Sequence, residues 1–177
     1  MTAVTAWSRL DLVHGHRPPC DVEEHVTAYA WARFRSSYEG LAGADEEWAD
    51  GWYKSMIGGY CYALTPWSQT FAAVNTSFLR YNLWREWLCV TVNGVRPQAV
   101  WSDPDGWPGM PFFDLIHFGD DEGTIGPVAA ARIAAAFDDP VVWARIEAGG
   151  NDDQVDMCER MREAFRLAAD RGLAKFK

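Results

Sequence analysis

The sequence feature that most constrains the fold is an Asn-Gly pair between two runs of β-prone residues. Trp87–Val92 and Val95–Trp101 are rich in β-branched and aromatic residues, and Asn93-Gly94 separates them. Asn-Gly is the favoured pair of the two-residue type I′ turn, because both residues adopt positive φ readily. We therefore expect an antiparallel hairpin. Its second strand should lie at a sheet edge, because Pro97 has no N–H to donate.

Helical patterns precede this predicted hairpin. A capping-box spacing of Asp and Glu predicts a helix over Val22–Glu39. Trp48, Trp52 and Met56 recur every four residues and predict a second helix. Residues 60–86 mix the helical and the strand period, so either structure remains open there.

The C-terminal third is mainly helical in pattern. A helix should begin at Pro127, which suits a first helical position, and another should run from Gln154 to Arg171. The apolar face of this last helix has spacings of three, four and three residues: Cys158, Met161, Phe165 and Ala168. The run Phe112–Phe118 fits a third strand or a short helix.

These patterns predict an α+β fold in which several helices pack on a small antiparallel sheet that contains the Asn93-Gly94 hairpin. Residues 1–177 should form a single domain, since a chain of 177 residues suits one hydrophobic core. The first 20 residues are expected to be irregular.

The charge of the chain argues against several classes of partner. The formal net charge is −9, and phosphate backbones are bound by neutralising Lys and Arg side chains. General nucleic-acid binding and docking on an anionic membrane are therefore not expected. No stretch approaches the roughly 20 apolar residues of a membrane span, and the N-terminus lacks the pattern of a signal peptide. We expect a cytoplasmic protein.

Cysteine spacing and motif content exclude several common sites. The four cysteines stand far apart with no C-x-x-C, so we expect free, buried thiols rather than a zinc ribbon. No G-x-S-x-G, P-loop, dinucleotide fingerprint or H-E-x-x-H occurs. The sequence therefore predicts no cofactor.

The stretch HFGDDEGTIGP is the main candidate for an active site. Asp120, Asp121 and Glu122 are consecutive carboxylates close to His117. They could hold a divalent cation, or Asp120 and Glu122 could work with His117 as acid and base. Alternatively, the turn is structural, since negative charge is stabilised at the N-terminus of the helix that follows. The spacing does not fit a calcium loop.

Tryptophan is the other candidate for function. The chain has ten Trp, a high count for its length. Trp84, Trp87, Trp101 and Trp107 cluster around the predicted hairpin. Indoles bind partner side chains or small ligands, although a Trp stripe is more often part of a core.

The second half resembles an uncharacterised family of phage and bacterial proteins. Residues 115–127, LIHFGDDEGTIGP, resemble its motif L-I-x-F-S-D-x-E-G-x-I-G-P, and the C-terminal FRLAADRG resembles its Phe-x-Leu-Ala helix ending. The chain departs from the motif with Gly119 in place of Ser and Asp121 in place of a small residue or Cys. The resemblance implies an intracellular, phage- or actinobacterium-borne accessory protein, and it carries no activity.

Two functional hypotheses follow. The first is a non-enzymatic binding protein that engages a host protein, or sequesters a small ligand, through a surface formed by Trp84, Trp87, Trp101 and Trp107. The alternative is a small hydrolase or metal-dependent enzyme centred on the acidic turn. The sequence leaves the oligomeric state open.

Overall fold

Two antiparallel sheets appear in the computed structural model, which describes residues 1–12, 25–27, 61–103, 106–107, 109–118 and 123–176. The strands are β1 (Thr2–Trp7), β2 (Asp11–Leu12), β3 (His25–Thr27), β4 (Cys61–Ala63), β5 (Thr70–Thr76), β6 (Gly123–Ile125) and β7 (Leu173–Phe176). The larger sheet has four strands in the order β5-β1-β7-β6, and a three-stranded sheet has the order β2-β4-β3.

Six helices lie in the described part of the chain. They are α1 (Phe78–Asn93), α2 (Pro97–Ser102), α3 (Phe113–His117), α4 (Pro127–Asp138), α5 (Pro140–Gly149) and α6 (Asp152–Ala169). Helices packed on an antiparallel sheet confirm the predicted α+β class. None of these six helices is long and apolar enough to cross a bilayer.

β1 is a central strand, and this corrects the prediction of an irregular N-terminus. Thr2, Val4 and Ala6 are buried and alternate with half-buried residues, the period of a strand with one covered face. β1 pairs with β5 on one side and with β7 on the other. The segments near the two ends of the sequence therefore lie side by side in the sheet.

α6 covers the larger sheet, as its apolar stripe predicts. The predicted stripe residues are all buried: Cys158, Met161, Phe165 and Ala168. The helix begins with a capping box, in which the side chains of Asn151 and Gln154 bond each other's backbone N–H. α4 begins at Pro127 as predicted and packs on α6.

The predicted hairpin at Asn93-Gly94 is wrong, because both flanking runs are helical. α1 continues through Asn93 and ends at Gly94, whose φ of 71° is left-handed and whose N–H donates to Val90 O. A left-handed glycine is common after the last residue of a helix as well as in a hairpin turn. An Asn-Gly pair is therefore compatible with either structure. Pro97 lies in the first turn of α2 instead of on a sheet edge.

Other predicted elements have mixed outcomes. The helix predicted over Val22–Glu39 is wrong at His25–Thr27, which form β3. The rest of that range lies outside the described residues, as does the predicted helix with Trp48, Trp52 and Met56. The ambiguous run Phe112–Phe118 contains the short helix α3.

Candidate functional site

His117, the predicted acid or base, is a buried residue at the end of α3. Its side chain is 4% exposed and stacks on Phe113, with ring centroids 5.1 Å apart and planes at 13°. Burial disfavours the charged imidazolium and lowers the pKa of His117 to about 4. The imidazole is therefore neutral near pH 7. Asp120, Asp121 and Glu122 lie outside the described residues.

Arg85 is a buried cation beside the C-terminal end of α3. Its guanidinium donates 2.7 Å hydrogen bonds to the carbonyl of Phe118 and to Asn82 Oδ1. It also lies over the ring of Trp101, 5.3 Å from its centroid. Arg85 thus connects α1 to Trp101 of α2 and to Phe118, the residue that follows α3. Its role is visible only once α1 is known to be a helix whose Tyr81 and Leu88 side faces inward.

Two of the four predicted binding tryptophans connect α1 to its neighbours. Trp84 is buried, and its Nε1 donates to the carbonyl of Gln154 at 3.3 Å. Trp87 is half-buried and donates to the carbonyl of Gly149 at 3.0 Å. Both indoles satisfy their N–H inside the protein, as packed tryptophans usually do.

Trp101 is the most accessible of the four, and the four indoles do not form one exposed surface. Trp101 is 42% exposed, and its Nε1 donates to the carbonyl of Ile116 at 2.9 Å. Trp107 is half-buried, and its Nε1 is buried with no hydrogen-bond partner in the part of the chain that the structure describes. Trp101 is therefore the one of the four with the most area open to a partner.

The outer side of α1 is an apolar face that the sequence reasoning missed. A helix turns by about 100° per residue, which places Leu79, Leu83 and Val90 within about 40° of one another. Leu79 is 66%, Leu83 57% and Val90 43% exposed. Tyr81 and Leu88 on the opposite side are fully buried. We call these three exposed residues the α1 face. The signal is the recurrence of apolar residues at helical spacing on this side, which can be recognised only after a helix is assigned there.

A groove separates the segment before α3 from α4. Its volume is about 600 Å³, and its lining includes Met110, Phe112, Phe113, Ile133 and Ala136. We call it the α3–α4 groove. The ion pair between Asp114 and Arg132 also lines the groove. The Arg132 guanidinium donates from Nε to Asp114 Oδ2 at 2.8 Å and from Nη2 to Oδ1 at 2.7 Å. This bidentate arrangement fixes the planes of both groups.

The described cysteines and acidic groups do not form a reactive or metal-binding cluster. Cys89 and Cys158 are free and buried, which agrees with the prediction made for the cysteines. Burial raises the pKa of Cys89 to about 11 and that of Cys158 to about 12, so both are protonated, unreactive thiols at neutral pH. Within the described ranges, no three His, Cys, Asp or Glu side chains are grouped so as to hold a metal ion.

Comparison with known proteins finds no counterpart: no protein-family model matches the chain, and no curated protein or solved structure matches it significantly.

Proposed function

We propose that this protein acts by binding a partner protein and that the α1 face is the centre of the contact. The observation that supports the proposal is the exposure of Leu79, Leu83 and Val90 at outward positions of a 16-residue helix. Surface helices usually carry polar residues at such positions, and exposed apolar residues grouped on one side of a helix are typical of a protein–protein contact.

The α1 face is too small to provide the whole free energy of binding by itself. Each of its three side chains is already partly buried, so covering the rest of each contributes only about 1 kcal/mol. Association costs about 4–15 kcal/mol in lost translational and rotational freedom. The three residues therefore suffice only as the apolar part of a larger contact. That contact would also include the half-buried Glu86, which lies between Leu83 and Val90 on the same side of the helix, and the half-buried Trp87.

The phage- or bacterium-associated role implied by the resemblance is compatible with such a partner, which would be a host protein in a bacterial cytoplasm. The enzymatic alternative receives less support from the geometry. A buried imidazole with a pKa of about 4 is a weak base and is unprotonated at neutral pH, so His117 is poorly suited to donate a proton.

Matched charge insertions test the proposal. Leu83→Glu places a carboxylate in the centre of the α1 face, and Val141→Glu makes the same kind of change at a 61% exposed position of α5. Wild-type protein and both variants are immobilised and exposed to a bacterial lysate. Captured proteins are identified by mass spectrometry, then purified for measurement of Kd. Circular dichroism checks that both variants fold.

We expect one protein to bind the wild type and Val141→Glu equally, and to bind Leu83→Glu at least tenfold more weakly, which corresponds to about 1.4 kcal/mol. Equal binding of that protein by Leu83→Glu contradicts the proposal. Sedimentation of the purified protein shows whether the captured partner is a second copy of the chain.

A further inference from the structure

The α3–α4 groove has the size and lining of a small-molecule site and is independent of the α1 face. Its volume of about 600 Å³ lies within the range of about 300–1,000 Å³ that is typical of ligand pockets. Such pockets combine apolar walls with a few fixed polar groups. Here Met110, Phe113 and Ala136 contribute apolar wall, and the Asp114–Arg132 pair is the fixed polar group.

The ion pair presents its positive end to an incoming molecule. The Asp114 side chain is 8% exposed, whereas the Arg132 side chain is 50% exposed. The carboxylate is thus shielded by the protein, and the guanidinium is the part that a ligand in the groove would meet. A planar guanidinium is well suited to bind a carboxylate.

Backbone strain at the groove provides a second, independent observation. Phe112 has a φ of 62°, in the left-handed region that residues with a side chain rarely adopt. Its ring packs on Phe137 with centroids 4.4 Å apart, a contact that holds the strained turn in place. The turn directs Phe113 and Asp114 into the groove lining. Strained residues of this kind are concentrated at binding and catalytic sites.

We propose that the α3–α4 groove binds a small amphipathic carboxylate, whose apolar body lies along Phe113 and Ala136 and whose carboxylate is bound by the guanidinium of Arg132. A neutral apolar molecule of the same length would gain the wall contacts without the charge-assisted hydrogen bonds. The difference in affinity between two such molecules therefore measures the role of Arg132.

Octanoate and 1-octanol are the probes, and each is titrated calorimetrically into the purified 177-residue chain. Three variants separate charge from shape. Asp114→Asn combined with Arg132→Gln replaces the ion pair by neutral amides and leaves no buried carboxylate unpaired. Ala136→Trp fills the groove, and Ala144→Trp makes the same change at an exposed position of α5 outside it.

We expect octanoate to bind at least tenfold more tightly than 1-octanol, and the double variant to abolish this difference. Ala136→Trp should weaken octanoate binding at least tenfold, while Ala144→Trp should leave it unchanged. Equal affinity for the two probes, undetectable octanoate binding, or unaltered octanoate binding in Ala136→Trp each overturns the proposal. Circular dichroism confirms that each variant folds, so that a loss of binding is not a loss of structure.

Discussion

His117 shows at the scale of one residue how burial changes chemistry. By residue type it is an acid–base candidate with an ordinary pKa of 6.5. In the fold it is a ring in the core, stacked on Phe113 and 4% exposed. Nothing in the local sequence predicts this, because α3 brings His117 inward only after α3 packs against α4 and α2.

The first prediction concerns the pH dependence of stability. The pKa of His117 is about 6.5 in the unfolded chain and about 4 in the folded protein, so the unfolded state binds the extra proton between these values. The free energy of unfolding should therefore fall as the pH drops from 6.5 to 4, by about 3 kcal/mol from this residue. Above pH 6.5, His117 is neutral in both states and does not lower the free energy of unfolding.

Urea unfolding of the wild type and of His117→Phe at pH 7, 6, 5 and 4 measures this contribution. The variant keeps a ring beside Phe113 and does not titrate at this position, so its stability should decrease less on acidification. The two proteins share all other titrating groups. Parallel pH profiles for the two would show that His117 is not held neutral in the fold.

At the scale of the elements, α1 organises the helical layer. Its Trp84 bonds the carbonyl of Gln154 at the start of α6, and its Trp87 bonds that of Gly149 at the end of α5. Arg145 on α5 donates in return to the carbonyl of Val92. A hairpin in place of α1 could not make these contacts. The inward side of α1 is thus structural, and the proposed docking surface is on its outer side.

The second prediction compares two tryptophans that the sequence placed in one binding surface. Trp84→Ala removes a buried side chain and its hydrogen bond, so it should lower the free energy of unfolding by about 4 kcal/mol. Trp101→Ala removes a side chain that is 42% exposed and should cost about half as much or less. Denaturant unfolding measures both. Similar losses for the two would contradict the assignment of Trp84 to the core.

At the scale of the whole molecule, the pairing of β1 with β7 joins segments far apart in sequence. Val4 lies opposite Phe176, and Trp7 lies opposite Leu173. Gly172 precedes β7 and lies so close to β1 that an added Cβ would overlap the backbone of Trp7 and Ser8. Only glycine allows this approach between the two segments.

The third prediction separates two roles of glycine. Gly172→Ala should force β7 away from β1 and cost about 3 kcal/mol, the upper range for an overpacked site. Gly94→Ala meets open space and bears only the cost of a positive φ, about 1 kcal/mol. Thermal unfolding ranks the two variants. A loss at Gly172 no larger than that at Gly94 would contradict the close packing of β1 and β7.

Features with a local cause were predictable from the order of residues alone. The stripe of α6 and the start of α4 at Pro127 follow from periodicity and capping, which act within a few turns of chain. The α+β class was predicted correctly, although the hairpin that suggested its sheet is helical. The buried, free state of Cys89 and Cys158 follows from the absence of paired cysteines and from the usual burial of thiols.

Features with a distant cause required the tertiary structure. Asn93-Gly94 fits a hairpin turn and a helix ending equally well. The helix is stabilised because it buries its own Tyr81, Trp84 and Leu88 side chains in the core. β1 was missed because its partners β5 and β7 lie more than 60 residues away. Burial is a collective property of the packed chain. The tertiary structure therefore decided which tryptophans are core, which helix side is exposed, and where the groove beside Arg132 lies.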